Sequence, residues 1–223
     1  MAIELDFAAV LTEWPLLVKG VAWTLGLTAV SAVLGVLLGI GCAWVRTQGP
    51  SWCRPGVAAY VELIRNTPFI VQLFFLFFGL PAMGVRLSPE WSSVIAMVIN
   101  LGAYSAEIVR AGIQSTPSGQ IEAAMSLALT RMQTFVWVIL PPALQRVWPA
   151  LVSQIIIVML GSAVCGQIST EELSYAANLI QSRNFRAFEA FIVATAIYLA
   201  LSIATRASLN WLGQRFLFGG RRG

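Results

Sequence analysis

The sequence predicts an all-α integral membrane protein, a bundle of five transmembrane helices that forms a single domain over residues 1–223. Hydrophobic residues make up 58% of the chain and charged residues 11%, whereas soluble domains average roughly 25% charged residues. The apolar residues are gathered in charge-free runs of about the length that crosses a bilayer. Arginines are concentrated in alternate segments between these runs. Such a chain cannot cover its apolar surface with polar groups, so lipid is its expected solvent.

The charge-free runs give the expected positions of the spans, because a membrane-crossing helix needs about 20 mostly apolar residues. The runs are 20–45, 66–85, 91–106, 147–170 and 190–205. The helix of the second run is expected to begin earlier, near Val57. The third and fifth runs are short, so their helices are expected to continue past Glu107 and Arg206 or to tilt little. Four and six spans are the alternatives to this count.

The positive charges at the ends of the spans predict the orientation. Ten of the 14 arginine and lysine residues lie around 46–65, around 107–146 and after the fifth run, with Arg221 and Arg222 among them. Seven of the ten acidic residues lie on the opposite side. We therefore expect the arginine-rich side to be cytoplasmic, the N-terminus outside and the C-terminus inside. The first run is too long for a cleavable signal peptide, and acidic residues precede it where a signal carries positive charge.

A short cytoplasmic helix is expected within the loop 115–135. Residues 121–129 are mostly good helix formers. Thr116 before Pro117 is typical of a helix start, with a side-chain cap and then a proline at the first helical position. Pro141 and Pro142 are expected to break the chain before the fourth span. An ordinary amphipathic helix at the membrane surface is the alternative interpretation of the segment.

Three motifs follow one another in a fixed order along the chain. The first is Arg65-Asn66-Thr67-Pro68-Phe69, and the second begins at Asn100 and runs through Glu107 to Ile113. The third is Glu122-Ala123-Ala124, followed by Ile139-Leu140-Pro141. Together they resemble the permease subunits of binding-protein-dependent ABC importers, particularly the polar amino acid branch. The resemblance covers about residues 16–213.

The resemblance implies the five-helix permease fold of type I ABC importers and a function in ATP-driven import. The chain would move an amino acid or similar small polar solute by alternating access. It would be a multi-pass protein of the bacterial inner membrane, surrounded by lipid. Its implied partners are a dimer of ATP-binding subunits, a second permease subunit and an extracytoplasmic solute-binding protein.

The resemblance also assigns a coupling site on the cytoplasmic loop, where the family docks on its ATPase. The residues implied are Glu122, Ala123, Ala124 and Ala128. Ala128 stands where the family usually has glycine. A second departure is Gly161, which stands where many members have an aspartate in the span after the loop. The identity of the solute, and whether the permease pairs with itself or with a sister subunit, stay open.

The chain lacks several residues that ATP binding, catalysis or metal binding would need. Lys19 is the only lysine, and the residues before it do not form the glycine-rich loop that holds ATP phosphates. We therefore expect a transport subunit without its own ATP site, not an enzyme, and no cofactor. The chain has no histidine, and its three cysteines form no CxxC pair, so neither a catalytic nor a metal site is expected. The charges form no stripe that would suit nucleic acid.

Two other functions are alternatives to the importer. A membrane enzyme is disfavoured because there is neither a histidine nor a convincing pair of carboxylates within the spans. A gradient-driven transporter that works alone usually contains repeats of helices, and no internal repeat is visible in the sequence. Copurification of an ATPase would distinguish the importer from both rivals.

Polar side chains within the spans are candidates for the path of the solute, because they are costly in a membrane. Asn100 and Tyr104 are four residues apart and share a helix face with Glu107. Hydrogen bonding that only holds the helices together is the alternative role. Gly35 and Gly39 form a GxxxG pattern that would suit close helix packing, although such a spacing is common by chance in glycine-rich spans. The candidate path residues are Gln72, Asn100, Tyr104, Gln154 and Ser162.

Overall fold

The computed structural model describes residues 5–217, and this part of the chain is helical without any strand. Its regular helices are α1 (Ala8–Leu11), α2 (Trp14–Thr47), α3 (Arg54–Arg65), α4 (Phe69–Phe74), α5 (Pro89–Gln114), α6 (Ser118–Ser126), α7 (Arg131–Gln133), α8 (Leu140–Gly161), α9 (Leu173–Asn184) and α10 (Ala187–Phe216). Two π-helical segments, Phe75–Gly79 and Thr134–Ile139, and two 3₁₀ segments, Leu80–Met83 and Ser162–Ile168, join some of them. The predicted all-α class is confirmed.

The described residues contain four helical segments that are long and apolar enough to cross a membrane: α2, α5, Arg131–Ile168 and α10. A fifth span is obtained if α3 and Phe69–Met83 are taken together as one broken span. The prediction that the third and fifth helices continue past Glu107 and Arg206 is confirmed, since both residues lie inside α5 and α10. Orientation stays a prediction, and Arg221 and Arg222, which support it, lie outside the described residues.

The second span differs from the expected continuous helix that begins near Val57. Helix α3 begins at Arg54, ends at Arg65, and is followed by a break before Phe69. Pro68 causes the break, because a proline disfavours helical geometry in the residue before it. Side chains donate hydrogen bonds to carbonyls in the last turn of α3. Asn66 Nδ2 donates to the carbonyl of Glu62 and Thr67 Oγ1 to that of Leu63, both over 2.8 Å.

The predicted break at Pro141 and Pro142 is wrong. Both prolines lie in the first turn of α8, which follows the π-helical segment Thr134–Ile139 without interruption. A proline lacks the N–H that an interior helical position would donate. The wide π-helical turn before α8 already departs from the regular hydrogen-bond ladder, so the helical path continues through the prolines.

The chain divides into two compact units. The first consists of Met1–Ser31, Phe69–Met97 and Ile156–Thr205, and the second of Ala32–Pro68, Val98–Ile155 and Arg206–Gly223. The core of the first unit includes Val10, Leu17, Leu173, Ile180 and Ala190. The main core of the second is built from α2, α5, α8 and the segment Thr134–Ile139, and includes Ala43, Val109, Phe135, Ile139 and Leu151.

Glycines bring α2 and α5 close together within the second unit. A Cβ added to Gly35 would lie 2.9 Å from Cβ of Leu101, and one added to Gly39 would lie 2.5 Å from Cβ of Ser105. Neither position therefore has room for a larger residue. Of the two interpretations of the GxxxG pattern in the first span, the contacts favour close helix packing over chance spacing.

Candidate functional site

Helix α6 forms the predicted short helix, and it ends in a left-handed turn at Ala128. The N–H of Leu129 donates to the carbonyl of Ala124 over 3.2 Å, and the N–H of Ala128 to that of Met125 over 2.9 Å. This pair of bonds is the Schellman motif, whose turning residue is usually glycine. Ala128 has φ of 56°, a conformation that costs an L-residue about 1–2 kcal/mol. Ala128 therefore adopts the left-handed conformation that glycine, the residue that the resemblance implies here, adopts without strain.

The two alanines of the Glu122-Ala123-Ala124 motif face opposite environments. Glu122 and Ala123 are exposed, whereas Ala124 is 3% exposed. Helix α6 packs against the π-helical segment Thr134–Ile139. Ala124 therefore fixes α6 to its own chain, and the accessible surface of the motif is that of Glu122 and Ala123. Ala128 is exposed as well.

The start of α6 differs from the prediction. Pro117, in an extended conformation with ψ of 136°, is the residue before the helix, and no side chain caps the first turn. Thr116 was expected to be the cap. Its side chain is instead 9% exposed, and Oγ1 has no hydrogen-bond partner among the described residues. A full capping box occurs at the next helix, α7, between Thr130 and Gln133.

Glu107 accepts hydrogen bonds from two arginines near the end of α5. Arg46 of α2 pairs with Oε1 of Glu107, and Arg110 donates to Oε2 through Nη2 over 2.7 Å and through Nε over 3.2 Å. The three side chains are 18–28% exposed. Half-buried ion pairs of this geometry hold helix ends in register more firmly than exposed ones. Glu107 is therefore engaged in a structural contact between α2 and α5.

The five candidate path residues are spread over both units. Asn100 and Tyr104 share α5, where Asn100 is 8% exposed and Tyr104 is half-buried. The phenol of Tyr104 donates to the carbonyl of Arg65 over 3.5 Å, and the guanidinium of Arg65 lies 5.5 Å from the centre of its ring. Gln154 of α8 is half-buried and belongs to the same unit.

The other two path residues belong to the first unit. Gln72 is half-buried on α4, which packs against the 3₁₀ segment Ser162–Ile168. Ser162 is fully buried and donates to the carbonyl of Met159 over 2.6 Å. Its neighbour Gly161 is open: a Cβ added there would meet no described atom within 4 Å. The structure thus has space at Gly161, the position where the resemblance places the aspartate of many members.

Glu172 is a buried carboxyl that the sequence did not single out. It precedes α9 and accepts from the N–H groups of Ser174 and Tyr175 over 2.9 and 2.8 Å, from the Ser174 hydroxyl, and from Tyr198. Its side chain is fully buried, and burial raises its pKa above the ordinary value although these hydrogen bonds partly offset the effect. Glutamate is not among the preferred N-caps, so only its position between two spans could have drawn attention to it.

Comparison with known proteins agrees with this architecture. Residues 35–218 match the family described as binding-protein-dependent transport system inner membrane component. The glutamine transport system permease protein GlnP of Escherichia coli (strain K12) is 34% identical over 96% of this chain and 98% of its own. The L-cystine transport system permease protein TcyB of Bacillus subtilis (strain 168) is 39% identical over 77% and 73%.

Solved structures show the same fold. The chain of a structure described as an amino acid ABC transporter with histidines superimposes with a TM-score of 0.85 and 34% identity, over 96% of this chain and 100% of that one. The MetNI methionine ABC transporter in an inward-facing conformation gives 0.70 at 23% identity, over 93% and 97%. The chain belongs to the family of binding-protein-dependent transport system inner membrane components.

Proposed function

We propose that this chain is the permease subunit of an ATP-driven importer for an amino acid or a similar small polar solute. The relatives named as glutamine and L-cystine permeases, and the 34% identical amino acid transporter, support the solute class. The chain would carry no ATP site and bind no cofactor. A dimer of separate ATP-binding subunits would supply the energy, and the solute would arrive on an extracytoplasmic binding protein.

The membrane and the remaining partner follow from the same family. We place the protein in the bacterial inner membrane, with the arginine-rich side in the cytoplasm. A second permease subunit, identical or not, would complete the transport path. Alternating access then requires the ATPase to bind the inward-facing and outward-facing states of the pair with different affinity.

The observation that carries the coupling proposal is the exposed surface of α6. Glu122 and Ala123 are exposed on a nine-residue helix whose buried residue is Ala124 and whose end is fixed by a Schellman turn. We assign Glu122 and Ala123 to contact with the ATPase. Ala124 holds the helix in place, and Ala128 shapes its closing turn.

Changes of the two exposed residues test this assignment. Ala123→Trp should block the docking surface by overpacking it, at a cost of about 1–3 kcal/mol for binding, and Glu122→Lys should reverse the charge presented there. Solute uptake by the reconstituted complex and copurification of the ATPase are both expected to fall. Ala207→Trp, at an exposed alanine of α10, is the matched control. Normal assembly and transport by both α6 variants would contradict the assignment.

We propose that Asn100 and Tyr104 contribute to the solute path, with Gln72, Gln154 and Ser162 along it. Their support is the presence of polar groups within membrane-spanning helices, which is costly without a use. Ser162 is fully buried, so it would meet solute only in another state of the transport cycle. Uptake by Asn100→Ala and Tyr104→Phe should show a raised KM for the solute. An unchanged KM in both would leave these residues with a packing role only.

A further inference from the structure

A polar pocket of about 430 Å³ lies at the ends of α2 and α5, beside the start of α6. Its polar lining includes the two arginines of the ion cluster, Arg46 and Arg110, and the amides of Gln48 and Gln114. Thr116 and Ile121, at the start of and within α6, also line it. Among the described residues that line this pocket there is no acidic one. The lining is therefore rich in hydrogen-bond donors and carries an excess of positive charge.

Glu107 leaves that excess in place. It pairs with Nη1 of Arg46 and with Nε and Nη2 of Arg110, while an arginine has five N–H donors. Each guanidinium therefore keeps N–H groups that Glu107 does not use. Two cations and one carboxylate leave a net charge of +1 in the cluster, and Glu107 itself is not a lining residue of the pocket.

Thr116 gives an independent indication that the pocket binds a ligand. Its side chain is 9% exposed, and its hydroxyl has no hydrogen-bond partner in the part of the chain that the structure describes. A buried hydroxyl without a partner costs free energy that a bound acceptor would recover. Because Thr116 lines the pocket, a rotation of its side chain would present this hydrogen to an acceptor bound beside Arg46 and Arg110.

We propose that this pocket binds a phosphate-type anion, the group that anionic lipid headgroups share with inorganic phosphate. Arginine is the preferred partner of phosphate because its planar guanidinium offers several donors at once. A lipid headgroup is the favoured source, since basic pockets at the cytoplasmic ends of membrane helices suit anionic headgroups. This preference rests on the proposed orientation, whereas anion binding itself does not. A bound anion would link α6 to the ends of two spans.

Thermal unfolding of the full-length chain in uncharged detergent tests the proposal, with tryptophan fluorescence as the signal. In one arm, phosphatidylglycerol is compared with phosphatidylcholine; in the other, inorganic phosphate is compared with chloride at equal ionic strength. Stabilisation by phosphatidylglycerol alone would identify a lipid headgroup as the ligand, and stabilisation by phosphate as well would identify a free anion. No stabilisation in either arm would overturn the proposal.

Variants show whether the effect belongs to this pocket. Arg110→Gln leaves Glu107 paired with Arg46, and Thr116→Val removes a hydroxyl that has no described partner, so both should fold. Each is expected to weaken anion binding about tenfold, as the loss of a hydrogen bond to a charged group does, while Thr116→Ser should bind like the parent. Arg206→Gln, at an exposed arginine outside the pocket, controls for net charge. Equal weakening by Arg206→Gln, or parental binding by Thr116→Val and Arg110→Gln, would overturn the proposal.

Discussion

Tyr198 of α10 donates its phenolic hydrogen to Oε2 of Glu172 over 2.6 Å, although 26 residues separate the two in the chain. The carboxyl also accepts two backbone N–H groups at the start of α9. The buried side chain of Glu172 therefore caps the N-terminus of α9 and links it to α10 through a hydrogen bond. Because burial raises the pKa of Glu172 above its ordinary value of 4.5, the folded protein holds the proton of this group more firmly than the unfolded chain does.

Glu172 should make the stability of the protein depend on pH. Below the ordinary value both states are protonated and the full contribution is present. Above the ordinary value the unfolded chain loses its proton while the folded protein still holds it, which favours unfolding. The contribution is therefore lost by the time the pH has risen through the raised pKa of the folded protein. Glu172→Gln should abolish this part of the pH dependence, and Tyr198→Phe should extend it to higher pH because a donor to the ionised form is removed. The measurement is the unfolding midpoint in detergent across pH, and identical profiles for parent and Glu172→Gln would contradict it.

Ala128→Gly should stabilise the end of α6. The left-handed conformation costs alanine about 1–2 kcal/mol, which glycine avoids. The greater conformational freedom of glycine in the unfolded chain offsets about 0.4–1 kcal/mol of that gain. Hydrogen exchange in the segment 118–129 should slow. Ala123→Gly is the control of opposite sign, since glycine within a helix costs about 0.5–1 kcal/mol. Faster exchange in Ala128→Gly would show that the turn gains nothing from glycine.

Gly39→Ala should destabilise the protein, whereas Gly41→Ala should not. The added methyl at Gly39 would lie 2.5 Å from Cβ of Ser105 and 2.9 Å from the backbone nitrogen of Ala106, and overpacking of this kind costs about 1–3 kcal/mol. At Gly41, on the same helix, a Cβ would meet no described atom within 4 Å. Unfolding midpoints of the two variants check the difference. Equal midpoints would mean that α2 shifts freely against α5.

Single cysteines in place of serines test the orientation within the described part of the chain. Ser126 of α6 and Ser182 of α9 are both exposed, and Cys53 is the one non-buried cysteine of the three that would have to be replaced. An impermeant maleimide added to spheroplasts should label Ser182→Cys and spare Ser126→Cys. Permeabilised cells give the control in which both react. The reverse pattern would overturn the orientation.

Gly161→Asp should be tolerated and should change which solutes the permease prefers. An added Cβ meets no described atom within 4 Å, so the fold need not shift. If the family's aspartate meets a cationic group, uptake of cationic amino acids should rise relative to neutral ones. Gly161→Asn provides the uncharged control. Competition between labelled arginine and glutamine measures the ratio, and an unchanged ratio would place Gly161 away from the solute.

The sequence predicted the spans well because they depend on composition over many residues, which local exceptions do not alter. It also predicted α6, where helix propensity and the family motif agree. It could not separate Ala123 from Ala124, since two identical neighbours differ only in how α6 packs on the segment Thr134–Ile139. The sequence did not predict that the helix continues through Pro141 and Pro142, because the π-helical turn before them has no clear local signal.

Glu172 was missed for a related reason. Its role depends on Tyr198, which is distant in the chain, and on a cap that glutamate seldom forms. In the same way, Thr116 and Pro117 had the residue types of a helix start, yet the threonine side chain is buried beside the pocket rather than turned to the first turn of α6. Residue types indicate where a cap can form, and tertiary packing decides whether it does.

The contact of Gly35 and Gly39 with α5 has a mechanical consequence. Because there is no room for a methyl group between the two helices at these positions, we expect this part of α2 and α5 to move as one rigid element. Conformational change is easier at the irregular turns, where the hydrogen-bond ladder already departs from the regular α-helix. These are Phe75–Gly79, Thr134–Ile139 and Ser162–Ile168. We therefore expect the transporter to change conformation at these irregular turns rather than within the contact between α2 and α5.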